Sequence, residues 1–361
     1  AALVRDPFTP HAALDIADLE QRVALAVRFL DNVIAISRYP LKAQADEARA
    51  KRRIGLGLTG LADALIFMGL DYGSQAARDT AAKWMAAIQN AAYKASAALA
   101  AEKGAFPLYD AQAFLARPNV QRLDADTRAL IARHGARNGC LTSIAPTGTI
   151  SLLAGNVSSG IEPVFDFTYR RRVLLTSGAS EETVEDFAHQ RYRALHGESD
   201  LTPAFVRAGD LAPAAHLAMQ AALQPYVDSA ISKTINCPEQ ITFEAFRDVY
   251  TQAYESGLKG CTTYRPNAVT GAVLMAADAP PKDGAAAAPA TPAATPAAAR
   301  HLVPAPPEQT HDPAALGTSK AGDVVYLSKP LERDEALEGV TYKIKWPASP
   351  HALYVTINDI V

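Results

Sequence analysis

Apolar residues recur every three or four positions through the first part of the chain. Leu19, Val23, Val27, Leu30 and Ile34 share one helical face, and Pro40 marks the stop. Trp84, Ile88, Ala91, Ala95 and Leu99 form a second stripe, closed by Gly104 as a C-cap. From about residue 139 the period changes. Leu141 to Ile144, Ala230 to Ile235 and Leu258 to Tyr264 are short β-branched runs, with a helical pattern over Phe243 to Glu255 between the last two. A strand, a helix and a strand with short joins predict a parallel crossover unit. The pattern over residues 1–275 is α/β, with helices covering a largely parallel sheet.

Proline then punctuates the chain. Nine of the 24 prolines lie between Pro280 and Pro313, among alanine runs such as Ala285 to Ala288. Such a composition buries too little apolar surface to offset chain entropy, so residues 276–322 are predicted to be an extended, disordered linker. Behind it, Gly339 to Trp346 and Ala352 to Ile357 alternate at period two around Pro347 to His351. They predict a β-hairpin within a small accessory module over 323–361, cut short at Val361.

Composition removes several function classes. Lys+Arg 35 against Asp+Glu 38 leaves a net charge of -3, which offers no basic face for nucleic acid. Three cysteines, none spaced C-x-x-C, exclude a disulfide scaffold and a zinc ribbon. The eight histidines show no metal-ligand spacing, so no metal site is expected. The most apolar stretch, Ile54 to Leu70, carries Asp63, and no membrane span is predicted. Ala1 to Asp6 lack a starting Met and do not form a signal peptide, so a cytoplasmic protein is expected.

Three segments invite a chemical reading. Gly55-Leu56-Gly57-Leu58-Thr59-Gly60 matches G-x-G-x-x-G, but Lys51-Arg52-Arg53 precede it where a dinucleotide fingerprint needs a hydrophobic strand. A close-packed turn entering a helix is the simpler account. In Ile144 to Ser151, a strand runs into Pro146, Gly148 permits close approach, and Thr147, Thr149 and Ser151 supply hydroxyls. Free N–H groups at the start of a following helix suit a phosphate, though an ordinary capped helix start fits the same residues. Cys237, beside Pro238 at a strand end, reads as a buried inert thiol, as do Cys140 and Cys261. His216 and Met219 share a helical face and read as core or lining.

Together the segments resemble the C-terminal portion of a ribonucleotide reductase large chain. The resemblance rests on Arg52 to Ala62, Ala145 to Ser151, Ser159-Gly160-Ile161-Glu162-Pro163, Lys233-Thr234-Ile235-Asn236 and Gly257 to Arg265, in that order. The subtype resembles class II, the adenosylcobalamin-dependent enzymes, because Thr262-Thr263-Tyr264-Arg265 offers one tyrosine where class I chains carry an adjacent pair. The resemblance implies the second half of a ten-stranded α/β barrel, with Pro146, Thr147, Gly148, Thr149, Ile150 and Ser151 holding the substrate's phosphates. It implies a ribonucleoside di- or triphosphate substrate, a thioredoxin-type reductant, adenosylcobalamin as cofactor, and an architecture compatible with a homodimer. Ile235 stands where the family's Asn-x-Cys-x-Glu finger loop would place Asn, so Cys237 is rejected as the radical-bearing thiol. That cysteine and its Asn and Glu partners are expected upstream of Ala1, and the tail's redox cysteines after Val361, so the segment alone is expected to be inactive. A class I large subunit and a non-catalytic nucleotide-binding module derived from a reductase remain the alternatives.

Overall fold

A short antiparallel pair, β1 (Val4–Arg5) and β2 (Ala13–Leu14), leads into α1 (Ile16–Ile36) and α2 (Lys42–Lys51). Next come α3 (Leu61–Phe67), α4 (Gln75–Lys103), the short α5 (Ala111–Leu115) and α6 (Pro118–Gln121), and α7 (Ala125–His134). After α8 (Gly148–Leu153), β3 (Thr168–Leu175) and β4 (Gly178–Glu185) form a hairpin. The unit continues through α9 (Phe187–His196), α10 (Pro213–Leu223), β5 (Thr234–Asn236), α11 (Phe243–Glu255), β6 (Thr262–Tyr264) and β7 (Leu274–Ala276). The computed structural model describes residues 1–175, 178–265, 274–276, 339–345 and 352–358.

Local chemistry sets the helix ends. The carboxylates of Asp15, Asp124 and Asp186 and the hydroxyls of Ser74 and Thr242 each accept an amide of the first turn they cap. Gly104 and Gly135, both at positive φ, end α4 and α7. The two stripes read from the sequence meet: α1 packs along α4, burying Val23, Val27 and Ile34 beside Met85, Ile88 and Leu99 in one core cluster. Leu19, Leu30, Trp84 and Ala95 pack at its margin.

The sheet assembles from distant segments, all parallel. Leu56 bridges Thr142, Ile144 bridges Ile231, and β5 pairs with β6 in the register Thr234 to Thr262. Backbone bonds of 2.7 Å (Leu56 N–H to Leu141 O), 2.8 Å (Ser232 N–H to Ile144 O) and 2.8 Å (Cys237 N–H to Tyr264 O) tie the row together. Its order is therefore 54–56, 141–144, 231–236, 262–264. The predicted crossover is present: α11 spans Phe243–Glu255 and joins β5 to β6. Leu141 to Ile144 contributes single bridges in place of a full strand, Thr142 to Leu56 on one side and Ile144 to Ile231 on the other.

The second unit, Pro289–Val361, contains the predicted hairpin: β8 (Gly339–Lys345) and β9 (Ala352–Asn358) pair antiparallel. Of the linker predicted over 276–322, all but Ala276 lies outside the described residues. No helix among the described residues is long and apolar enough to cross a membrane.

Candidate functional site

A cavity of about 380 Å³ opens where the parallel segments end. Asn236 closes β5 and Tyr264 closes β6, while α8 follows segment 141–144; all three contribute to the wall. In sheets of parallel strands, ligands bind beyond the carboxyl ends, where loops and helix starts converge. The remaining wall is the strap from Asn156 to Asp166, with Tyr169, Asp186 and Ala208.

The turn into α8 is held by Thr147, which sits in the left-handed region at φ 53°. Its carbonyl accepts Ser151 N–H at 2.8 Å. Its Oγ1 accepts Gly160 N–H at 2.7 Å and lies 3.3 Å from Ser151 Oγ. Gly160 is itself at φ +51°, and a Cβ there would lie 2.9 Å from the Ala145 carbonyl oxygen, so turn and strap approach too closely for any side chain. The amides of Gly148, Thr149 and Ile150 make no hydrogen bond among the described residues, as expected for a first helical turn. Gly148 and the buried Ser151 line the cavity, whereas Pro146, Thr149 and Ile150 are exposed. The six residues read from the sequence thus divide between those at the cavity, the Thr147 staple and an outer face.

Sequence reasoning gave no role to the most constrained charges here. Lys233 has no exposed side-chain surface, and its ammonium donates to Glu162 Oε2 (2.5 Å), to His216 Nδ1 (3.0 Å) and to the Thr234 carbonyl (2.9 Å). Glu162 Oε1 accepts Thr234 N–H at 2.6 Å, and the glutamate lines the cavity. Burial pulls the Lys233 ammonium down, and the Glu162 carboxylate beside it works the other way. His216 Nε2 lies 3.3 Å from the Ala208 carbonyl, which can only accept, while an ammonium can only donate to Nδ1. The ring is therefore neutral with its proton on Nε2. Burial and the neighbouring ammonium push its pKa down to about 3. An unfolded histidine takes up a proton near pH 6.5; the folded ring does not until near pH 3, so the unfolded state gains as pH falls. Relative to His216→Gln, the wild-type protein should lose about 1 kcal/mol of stability between pH 6.5 and 5.5. Denaturant midpoints of both proteins at the two pH values check this; parallel shifts would refute it.

The variant is needed as reference because a second buried group titrates in the opposite sense. Burial and the adjacent Asp63 carboxylate hold the Asp186 carboxyl well above the ordinary carboxylate range. Asp63, fully buried on α3, accepts the amides of Ser158 (2.7 Å) and Ala188 (3.0 Å), so this one carboxylate clamps the strap to the start of α9.

Of the three thiols read from the sequence as buried, Cys237 is so, whereas Cys140 and Cys261 are half-buried. Burial raises all three thiol pKa values, aided by Cys261 at Cys237 and by Asp228 at Cys140. Gly55 and Gly57 of G-x-G-x-x-G flank the Leu56 bridge, where a Cβ would meet Ser143 Oγ or the Ser143 carbonyl oxygen, each at 2.5 Å, and Gly60 precedes α3 at φ 72°. Among the described residues, no cluster of three His, Cys, Asp or Glu side chains could hold a metal ion.

Comparison with known proteins agrees with this layout. The family described as "Ribonucleotide reductase, barrel domain" matches residues 2–264. A vitamin B12-dependent ribonucleoside-diphosphate reductase of Mycobacterium tuberculosis is 39% identical over 280 residues, covering 72% of this chain and 38% of that protein. The protein of the same description from Thermoplasma acidophilum is 34% identical over 289 residues, covering 74% of this chain and 35% of its own length. A ribonucleoside-diphosphate reductase subunit alpha of Chlamydia muridarum is 35% identical over 193 residues, covering 47% of this chain and 18% of its own. The chain spans little more than a third of the first two relatives. With the family match running through the glycine-packed sheet, the α8 turn and the Glu162–Lys233 pair, the chain belongs to the ribonucleotide reductase barrel domain family.

Proposed function

We propose that this chain is the C-terminal barrel segment of an adenosylcobalamin-dependent ribonucleotide reductase, and that its cavity holds the phosphate end of the nucleotide. The parent enzyme reduces ribonucleotides to 2′-deoxyribonucleotides: the 2′-hydroxyl leaves as water while a dithiol, regenerated by a thioredoxin-type reductant, becomes a disulfide. The row of parallel segments over 1–275 is read as part of the second half of a ten-stranded barrel, followed by a linker and an accessory module over 323–361. A cytoplasmic homodimer acting on ribonucleoside di- or triphosphates completes the reading, and no nucleic-acid or membrane partner is invoked.

The observation that carries the proposal is the α8 turn at the ends of parallel strands, with free first-turn amides beside Gly148 and Ser151. No histidine lines this wall among the described residues, so it offers no imidazole ligand for cobalt. Adenosylcobalamin, named through the relatives, supplies the radical that starts the reaction. This segment's own part is placement of the substrate, on which rate depends steeply.

Gly148 gives the test. A Cβ there meets nothing within 4 Å, so a larger side chain occupies the ligand's space without disturbing the fold. Gly148→Val in the full-length protein should raise the nucleotide Kd at least about tenfold, about 1.4 kcal/mol, with an unchanged melting temperature. Unchanged nucleotide affinity would sink the assignment.

A further inference from the structure

We propose that Glu162 binds the sugar of the nucleotide, accepting a hydrogen bond from a ribose hydroxyl, and that Lys233 is the positioning residue that fixes the Glu162 carboxylate for this contact. The inference rests on the nucleotide reading above and assigns the part of the ligand beyond its phosphates.

Each Glu162 oxygen is held by one donor: Thr234 N–H on Oε1 and the Lys233 ammonium on Oε2. A carboxylate oxygen accepts two hydrogen bonds, so acceptor capacity remains on both. The side chain is 22% exposed and lines the cavity, where that capacity is available to a ligand. No lysine or arginine lines this wall among the described residues, whereas the Glu162 carboxylate does. A phosphate is therefore disfavoured beside Glu162 and favoured at the amide end near Gly148 and Ser151. What suits the carboxylate is a neutral donor. In any nucleotide, the donors nearest the phosphates are the sugar hydroxyls, present whatever the base.

Lys233 cannot make this contact itself. Its three N–H groups are committed to Glu162, His216 and the Thr234 carbonyl, and the side chain has no exposed surface. It acts through Glu162. Without it, the carboxylate keeps a single tether and is free to swing from its place.

The test uses the full-length protein and three probes: a ribonucleoside diphosphate, its 2′,3′-dideoxy counterpart and inorganic pyrophosphate. Glu162→Gln should weaken the ribonucleotide about tenfold and leave the dideoxynucleotide and pyrophosphate within about twofold. Lys233→Met should show the same selectivity, and the double variant should bind no more weakly than either single one, because the two residues act as a unit. Equal losses across all three probes, or none, for Glu162→Gln would overturn the sugar contact. A folded Lys233→Met protein that binds all three probes like the wild type would overturn the positioning role. If Lys233→Met does not fold, Glu162→Gln still decides the contact, and Lys233→Arg, which keeps the charge, takes its place for the positioning role. Wild-type protein that binds the ribonucleotide but not pyrophosphate would count against the phosphate assignment alone, since the ribo against dideoxy comparison still judges Glu162.

Discussion

Replacing Asp31 by alanine should destabilise the protein by about 3–5 kcal/mol, the cost of leaving a buried charge without its partner. Asp31 is 1% exposed on the core face of α1. Its Oδ1 accepts Arg52 Nε at 2.8 Å and Asn138 Nδ2 at 3.2 Å, and Arg137 Nε lies 3.4 Å from Oδ2. Arg52, also buried, ends α2 in the left-handed region at φ 44° and donates Nη2 to the Asp31 carbonyl at 2.8 Å. Asn138 extends the network to Arg52 O and Ser96 Oγ. One carboxylate thus joins α1, the end of α2, α4 and the entry to segment 141–144. Removing it strands the Arg52 guanidinium in the core, and a loss of this size is a large share of a typical domain's 5–15 kcal/mol. Denaturant unfolding measures it. Asp31→Asn, which keeps one acceptor, should lose less, and a loss below about 1 kcal/mol for the alanine variant would show that solvent reaches Arg52.

The second large effect is expected at Gly57, where alanine should cost about 3 kcal/mol. The new Cβ would lie 2.5 Å from the Ser143 carbonyl oxygen, with backbone on both sides of the contact. Neither side can rotate away, and the strain falls on the pairing that carries Leu56 N–H to Leu141 O and Ser143 N–H to Leu56 O. Gly55→Ala should cost less, because its Cβ meets the Ser143 hydroxyl, which can turn. Gly57→Ala should lower the melting temperature and leave the nucleotide Kd of the folded protein unchanged. Weakened binding at unchanged stability would restore G-x-G-x-x-G as a ligand loop.

Local periodicity made the helices and the crossover legible. The faces of α1 and α4, the stop at Gly104 and the limits of α11 all follow from residues within a few positions of each other. The order of the parallel row does not, because Leu56, Thr142 and Ile231 are brought together by packing that no local pattern encodes. At the cavity, the α8 turn was visible through Pro146 and Gly148, but the engagement of Thr147 Oγ1 by Gly160 N–H needed the strap's position. Two charges could have been noticed. Asp31 lies four residues after Val27 and three before Ile34, inside an apolar stripe. Lys233 lies two residues from each of the buried Ile231 and Ile235, on the same face, so a strand at that point must bury an ammonium and find it an anion. The sequence does not name that anion, because Glu162 arrives from the strap.

The phase of Lys233 in its strand has a consequence for how that strand is placed. Side chains alternate faces along segment 231–236, so a slip by one residue would turn Lys233 outward and drive Ser232 or Thr234 against Glu162. The carboxylate would then be buried opposite a hydroxyl, and Ile235 would leave the cluster it forms with Leu217 and Val249. A hydrophobic pair in place of Lys233 and Glu162 could match the ion pair in stability. It would tolerate the slipped register far better. The ion pair therefore works as an alignment key: it makes one seating of β5 against its neighbours electrostatically distinct, and with it the position of every cavity residue that the strand carries.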